Sequence, residues 1–341
     1  MKRFYRKMAM TSLFLVYLVI TAGAVVRMTG SGMGCPDWPK CFGYYIPPVE
    51  RAELEWQPAK EYKKGQVIIL DESLWVANGD FTSANEYNAN QWSKYTRHDY
   101  AAFNVFHTWT EFINRLLGAL AGLAVLVTAF ISLSYWTEDK LLVILSWVTL
   151  FAIGFQGWLG ATVVYSVLEP VKITMHMIMA LVIVALLLYL IFRSKAEHQP
   201  GKYHPLTKGL VAAALIMSVV QIILGTQVRQ FVDIKAGILG EQFRNLWLAE
   251  PDLSFYTHRS FSIVVLLLNL YLAFIIYKNR LGLPKINWVL VLILAEVCTG
   301  MAMYYLDFPF GTQSAHLIMA AVLFGLQFYL LLESGQTVKS L

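Results

Sequence analysis

Eight runs of about twenty predominantly apolar residues divide this chain, and together they commit it to a lipid bilayer. They lie at 8–26, 105–136, 141–164, 173–192, 209–228, 257–277, 286–306 and 312–332. A helix rises ~1.5 Å per residue, so each run reaches across a hydrocarbon core of about 30 Å. The fold expected is therefore an all-α polytopic membrane protein with eight transmembrane helices. Composition agrees: 57% of the 341 residues are hydrophobic and 14% charged, far from the balance of a soluble domain. A DNA-binding protein and a secreted disulfide scaffold are excluded. The net charge of +5 implies no nucleic-acid partner.

The first run follows Lys2, Arg3, Arg6 and Lys7 and has the outline of a signal peptide. It lacks a small-residue cleavage site and Arg27 follows it directly, so it reads as a helix. With the N-terminus inside, the short inner segments carry Lys140, then Arg193, Lys195, Lys202 and Lys208, then Lys278, Arg280 and Lys285, and finally Lys339. The positive-inside rule is met by each of them. The expected organisation is helix 1 at 1–27, an outer loop or lid at 28–104 and helices 2–4 at 105–193. An inner linker at 194–208, a second four-helix bundle at 209–333 and an inner tail at 334–341 follow. Short strands are expected near 66–70 and 74–77.

The second half echoes the first. His176-Met-Ile-Met-Ala180 recurs as His316-Leu-Ile-Met-Ala320, Glu111-Phe-Ile-Asn-Arg115 aligns with Phe255-Tyr-Thr-His-Arg259, and Val26-Arg27 aligns with Val228-Arg229. The offsets are 140, 144 and 202 residues, so two tandem pseudo-symmetric four-helix bundles differ chiefly in the length of one outer loop. An even number of spans separates them, which makes the duplication parallel and predicts two related sites.

His107, His176, His258 and His316 all fall near the outer ends of even-numbered helices. His98, His198 and His204 fall in loops, where solvation is the default reading. Ionisable side chains inside spans are costly and usually face the bundle interior. Two histidines on separate helices of one bundle are able to ligate a haem iron from both sides. His258 and His316 form such a pair. In the first half His176 matches His316, but the position matching His258 is Asn114, and His107 lies two turns further out. Arg115 and Arg259 follow the ligand positions, while Arg27 and Arg229 close helices 1 and 5. They suit haem propionates or, for Arg27 and Arg229 especially, snorkelling to the interface.

Glu111 shares a helix face with Asn114, and its counterpart is Phe255. A buried carboxylate there serves proton movement or stabilisation of positive charge, or else pairs with Arg115. Glu296 is a second intramembrane acid with no evident partner. Cys35 and Cys41 flank a turn-forming run in an outward loop, where a disulfide is permitted. It would staple the loop, close it over the site or exchange with an incoming thiol. Cys298 reads as an apolar packing residue.

At these residues the chain resembles the haem A synthase family over nearly its whole length. The most specific stretch is Arg27-Met-Thr-Gly-Ser-Gly-Met-Gly-Cys-Pro-Asp-Trp-Pro-Lys-Cys41, supported by Glu111-Phe-Ile-Asn-Arg115, Leu224-Gly-Thr-Gln-Val-Arg229 and Thr257-His-Arg259. The resemblance implies an eight-helix enzyme that oxidises the C8 methyl of haem O to a formyl group. Its cofactor would be haem b on His258 and His316, with substrate near His176 and Glu111 as the catalytic group. Where the family motif has histidine, this chain has Asn114. That leaves either five-coordinate substrate iron on His176, the favoured option, or recruitment of His107. The resemblance further implies successive hydroxylations with oxygen from water and electrons leaving through haem b. The partners implied are the bilayer, a haem O synthase that delivers substrate and an unspecified electron acceptor, with self-association open. The location implied is the bacterial cytoplasmic (inner) membrane, both termini cytoplasmic and the haem sites near the outer face. The alternative from the residues alone is a di-haem b-type electron-transfer protein that does not modify haem; a haem-handling transporter is a third reading.

Overall fold

A computed structural model describes residues 2–195 and 204–335. His198, Lys202 and Lys339, placed above in inner segments, lie outside the described residues. The helices are α1 (Lys2–Met28), α2 (Val105–Ser132), α3 (Lys140–Tyr165), α4 (Pro170–Arg193), α5 (Thr207–Leu239), α6 (Leu253–Lys278), α7 (Lys285–Tyr305) and α8 (Thr312–Ser334). All eight are long and apolar enough to cross a membrane, and the protein is an all-α polytopic membrane protein.

Local chemistry sets the helix ends. Asn104 Oδ1 accepts the N–H groups of Phe106 at 2.9 Å and His107 at 3.2 Å at the start of α2. Asp252 caps α6 through Phe255 N–H at 3.2 Å. Asp139 caps α3 through Leu142 N–H at 3.1 Å and also takes Arg193 from the end of α4 at 2.8 Å, which ties two helix ends together. α5 runs 11 residues past its expected end. Arg229 and Asp233 interrupt the apolar run without disfavouring a helix, and they pair one turn apart at 2.7 Å.

The duplication extends to the backbone. α3 and α4 are joined through Val167 and Leu168 at φ 52° and 63°, and α7 and α8 through Asp307 and Phe308 at φ 54° and 56°, 140 residues later. Non-glycine residues rarely occupy this left-handed region, so both halves repeat one uncommon turn. Each turn is closed in the same way, by Leu168 N–H on Val163 O at 3.0 Å and Phe308 N–H on Met303 O at 3.2 Å.

Within each half α1 or α5 packs on α2 or α6, and α3 or α7 packs on α4 or α8; the halves meet where α8 lies against α1 and α4. Equivalent polar contacts stitch this seam. Thr174 and Thr226 hydroxyls lie 3.0 Å apart, and Ser314 Oγ donates to Ala24 O at 3.1 Å. One core cluster joins Val16, Val125, Val184 and Leu187 to Ala321 and Phe324, so apolar packing continues across the seam. Cys298 is exposed on α7 rather than packed in a core.

The outer segment is a small β module. A hairpin of β2 (Val67–Leu70) and β3 (Ser73–Ala77) turns on Asp71 and Glu72, both at positive φ, and β5 (Trp92–Lys94) pairs with β3. β1 (Glu61–Tyr62) pairs with β4 (Phe81–Thr82). The two longer strands match the expected ones. The other three are two or three residues long and carry no periodic signal. Tyr62, Ile68, Ala77 and Trp92 are buried among Trp56, Trp75, Phe81 and Tyr87, an aromatic core of the module's own.

Candidate functional site

A cavity of about 1710 Å³, lined mainly by the first half and at its outer end also by second-half residues such as Asp233, Trp247 and Gln313, is larger than a pocket for an ordinary small molecule. Its wall includes Glu111, Asn114 and Arg115 from α2, Gln156 and Gly160 from α3, and His176 from α4. His107, Arg27 and Arg229 also line it, so the structure gathers most of the first-half candidates in one place. Asn114 Oδ1 and His176 Nδ1 are both buried without a hydrogen-bond partner among the described residues. Two unsatisfied polar atoms in one apolar wall mark a place built for a polar or metal-bearing ligand.

Each ligand position faces a glycine on the preceding helix. A Cβ on Gly160 would lie 3.3 Å from His176 Cε1, one on Gly225 3.1 Å from His258 Cε1, one on Gly300 3.9 Å from His316 Cε1 and one on Gly23 3.9 Å from Asn114 Oδ1. Asn114 thus occupies in the first half the place that His258 occupies in the second. One turn earlier, Gln156 donates to His176 O at 2.9 Å and Gln221 donates to His258 O at 3.0 Å. These glycines and glutamines were not singled out from the sequence, although the offsets of 140 and 202 pair the glycines; at the same offsets Gln156 meets Glu296 and Gln221 meets Val19.

In the second half the rings of His258 and His316 stand 6.4 Å apart. With metal–nitrogen bonds of about 2 Å on each side, two imidazoles facing one iron have ring centres roughly 6 Å apart, so the pair fits bis-histidine haem. Glu296, without a partner in the sequence reading, lies 2.8 Å from His316 Nδ1, and Thr299 Oγ1 lies 2.9 Å from the same atom. These contacts hold the ring through Nδ1 and leave Nε2 as the nitrogen available to a metal. Its first-half counterpart is Gln156, which bonds a backbone carbonyl instead. His258 Nδ1 has no partner.

Glu111 and Arg115 are committed to the outer loop. Glu111 is 4% exposed; its Oε2 accepts Cys35 N–H at 2.8 Å, and its Oε1 pairs with Arg115. Arg115 also donates to Asp37 O at 2.6 Å, Lys40 O at 2.9 Å and Cys35 O at 3.2 Å. The guanidinium expected at a propionate therefore clamps the loop that Cys35 and Cys41 close with a disulfide. Thr108 Oγ1 donates to Gly34 O at 2.8 Å, and a Cβ on Gly34 would sit 2.3 Å from His107 O, so glycine is required there. Burial pushes the Asp37 carboxyl above the ordinary aspartate range, against the opposing pull of Gly43 N–H and Arg115. His98, expected in solvent, lies 2.9 Å from Pro36 O beside Tyr95 and buttresses the same loop.

Arg27 and Arg229 share Asp233, at 2.9 and 2.7 Å, and Arg229 also donates to Arg27 O at 3.0 Å and to Gln313. These arginines are thus ordered at the mouth of the cavity rather than dispersed in lipid headgroups. Asp233 was missed because its match in the first half is Ser31. Arg259 is exposed.

The family model for COX15-CtaA, described as cytochrome oxidase assembly protein, matches residues 6–74 and 76–328. Among curated relatives, a protein of Rickettsia prowazekii called heme A synthase is 24% identical over 92% of this chain and 92% of its own length. One of Methylobacterium radiotolerans with the same name is 26% identical over 90% of this chain and 83% of its own. A third, from Shewanella oneidensis and also called heme A synthase, is 26% identical over 54% of this chain and 44% of its own length.

Proposed function

The chain belongs to the COX15-CtaA family of cytochrome oxidase assembly proteins, and from that premise we propose that it is a haem A synthase, an oxidoreductase acting on the C8 methyl of haem O. One observation carries the reading. In a duplicated scaffold, one half holds two histidine rings 6.4 Å apart, and the other lines a large cavity with His176, with Asn114 where the second half has His258, with Glu111 and, two turns further out on α2, with His107. A fixed carrier needs two ligands; a substrate that must enter, react and leave is better served by one. A di-haem carrier gives no reason for that asymmetry.

His258 and His316 would hold haem b, which supplies reversible one-electron transfer when bound. His176 would ligate the substrate iron, with Asn114 on the opposite side supplying an amide oxygen and no strong ligand. Conversion of methyl to formyl takes one oxygen from water and releases four electrons and four protons, which pass to an acceptor outside the chain. The chain's residues orient the substrate and stabilise charge. Arg27 and Arg229, held by Asp233, offer guanidinium donors at the mouth for carboxylates. Glu111 places negative charge on the wall where positive charge develops during oxidation. The disulfide-closed loop, fastened by Glu111, Arg115 and Thr108, excludes water from the outer end. This orientation puts the outer loop and haem sites on the periplasmic side of a bacterial inner membrane.

The reading is tested in cells that make haem O but lack an enzyme of this activity. Expression of this chain should yield extractable haem A or its hydroxylated precursor. Accumulation of haem O alone, with the protein present in the membrane, would contradict it.

A further inference from the structure

Away from the ligand positions, the halves diverge most usefully at mid-span on α2 and α3. The cavity that begins at Asn114, Gly160 and His176 continues along Gly118, Ala119, Gly154 and Gly157. Ala119 and Gly154 are exposed and line the cavity, and they adjoin the strongly exposed Leu116, Leu120, Phe151 and Trp158 on the outer faces of α2 and α3, so the cavity approaches the outer surface between these helices. Gly118 and Gly154 sit near the middles of their helices, which places this approach in the hydrocarbon core. From Asn114 to Gly118 is about 6 Å along the axis and from Gly160 to Gly154 about 9 Å. The slot therefore descends from the ligand level towards the bilayer centre. Below it α2 and α3 close on each other through the rings of Phe130 and Trp147, 5.5 Å apart.

These glycines have no packing reason. A Cβ at Gly118, Gly154 or Gly157 would meet nothing within 4 Å, and glycine weakens a helix relative to alanine. The duplication supplies an internal comparison. At the same offsets the second half has Ser262, Ile263, Leu294 and Val297, whereas the glycines beside the ligand positions, Gly160 and Gly300, Gly23 and Gly225, are kept in both. The small residues thus lie in the half whose cavity reaches Asn114 and His176, and larger or branched side chains stand at three of the four matching second-half positions.

We propose that Gly118, Ala119, Gly154 and Gly157 form a lateral portal between α2 and α3 that seats a long apolar chain carried by the substrate tetrapyrrole, the isoprenoid tail of haem O. This rests on the assignment of the first half as the substrate site. The tail enters from the membrane and lies in the slot while the ring stands at His176. The second half, with Ile263, Leu294 and Val297 at the matching positions, takes a haem without such a tail.

The test substitutes the second-half residues into the first, in the double variant Gly154→Leu/Gly157→Val of the full chain, purified with its resident haem. The space around both positions allows the variant to fold, and an unaltered spectrum of the resident haem checks that it has. Absorbance titrations compare haem O with protohaem, which has no tail. The variant should bind haem O about tenfold or more weakly than the unsubstituted protein while its affinity for protohaem at the first-half site stays the same. Unchanged haem O affinity would overturn the portal. So would an equal loss for both haems, which would mean the glycines accommodate the ring, or equal indifference, as expected if a lipid acyl chain merely fills the slot. Failure of the unsubstituted protein to bind haem O would instead remove the assignment of the substrate site.

Discussion

Replacing Glu111 with Gln is expected to cut formyl formation by about 10²–10⁴-fold while leaving the second-half haem bound and spectrally unchanged. The substitution is nearly isosteric, but it removes the negative charge from a side chain that is 4% exposed and ion-paired with Arg115. Two consequences follow from the geometry. The cavity wall loses the charge proposed to stabilise the oxidised substrate, and Arg115 keeps its loop carbonyls but loses its counter-ion. Glu111→Asp separates them, because it keeps the charge with a shorter reach; partial recovery of turnover would assign the effect to charge. Full activity in Glu111→Gln, measured as haem A extracted per protein, would end the catalytic assignment.

His316→Ala is expected to abolish the low-spin haem signal of the purified protein, and His258→Ala to do the same. Their rings are 6.4 Å apart, and Gly225 and Gly300 leave room for a ring but supply no ligand. Glu296→Gln probes the same site more gently. It keeps His316 but exchanges the carboxylate 2.8 Å from Nδ1 for a neutral amide, and outer-shell partners of this kind typically contribute about 10–100-fold in metal affinity. Haem should therefore be retained at high occupancy but released more readily to a competing haem-binding protein. An unchanged low-spin spectrum in His316→Ala would remove the second-half assignment.

Much of the fold was legible because the bilayer enforces it. Apolar run lengths located all eight helices, and failed mainly at α5, where Arg229 and Asp233 ended the run but not the helix. The duplication was visible in three short echoes, and its further consequences, from the left-handed turns at Val167 and Asp307 to the paired glycines, obey the same offsets. Side-chain partners were less accessible. Glu296 could not be matched to His316 because they lie on different helices, and Arg115 could not be assigned to the loop because its acceptors are backbone carbonyls of Cys35, Asp37 and Lys40, which sequence pattern does not encode. The β module was only partly foreseen, since two-residue strands such as Glu61–Tyr62 are set by their pairing and not by their own periodicity.

Asn114 concentrates what is distinctive here. It sits opposite Gly23 as His258 sits opposite Gly225, so the scaffold keeps the position while the side chain there is an amide instead of an imidazole. A substrate held by His176 alone would be easier to exchange than one held from both sides. Oxidation of haem O by this chain is tested most directly by supplying the purified protein with haem O and an electron acceptor, then separating the extracted haems and weighing them by mass spectrometry. The hydroxylated intermediate and haem A should appear in turn, at the expense of haem O, with haem b unchanged. Recovery of unaltered haem O beside haem b, from protein that binds both, would contradict the enzyme and leave an electron carrier.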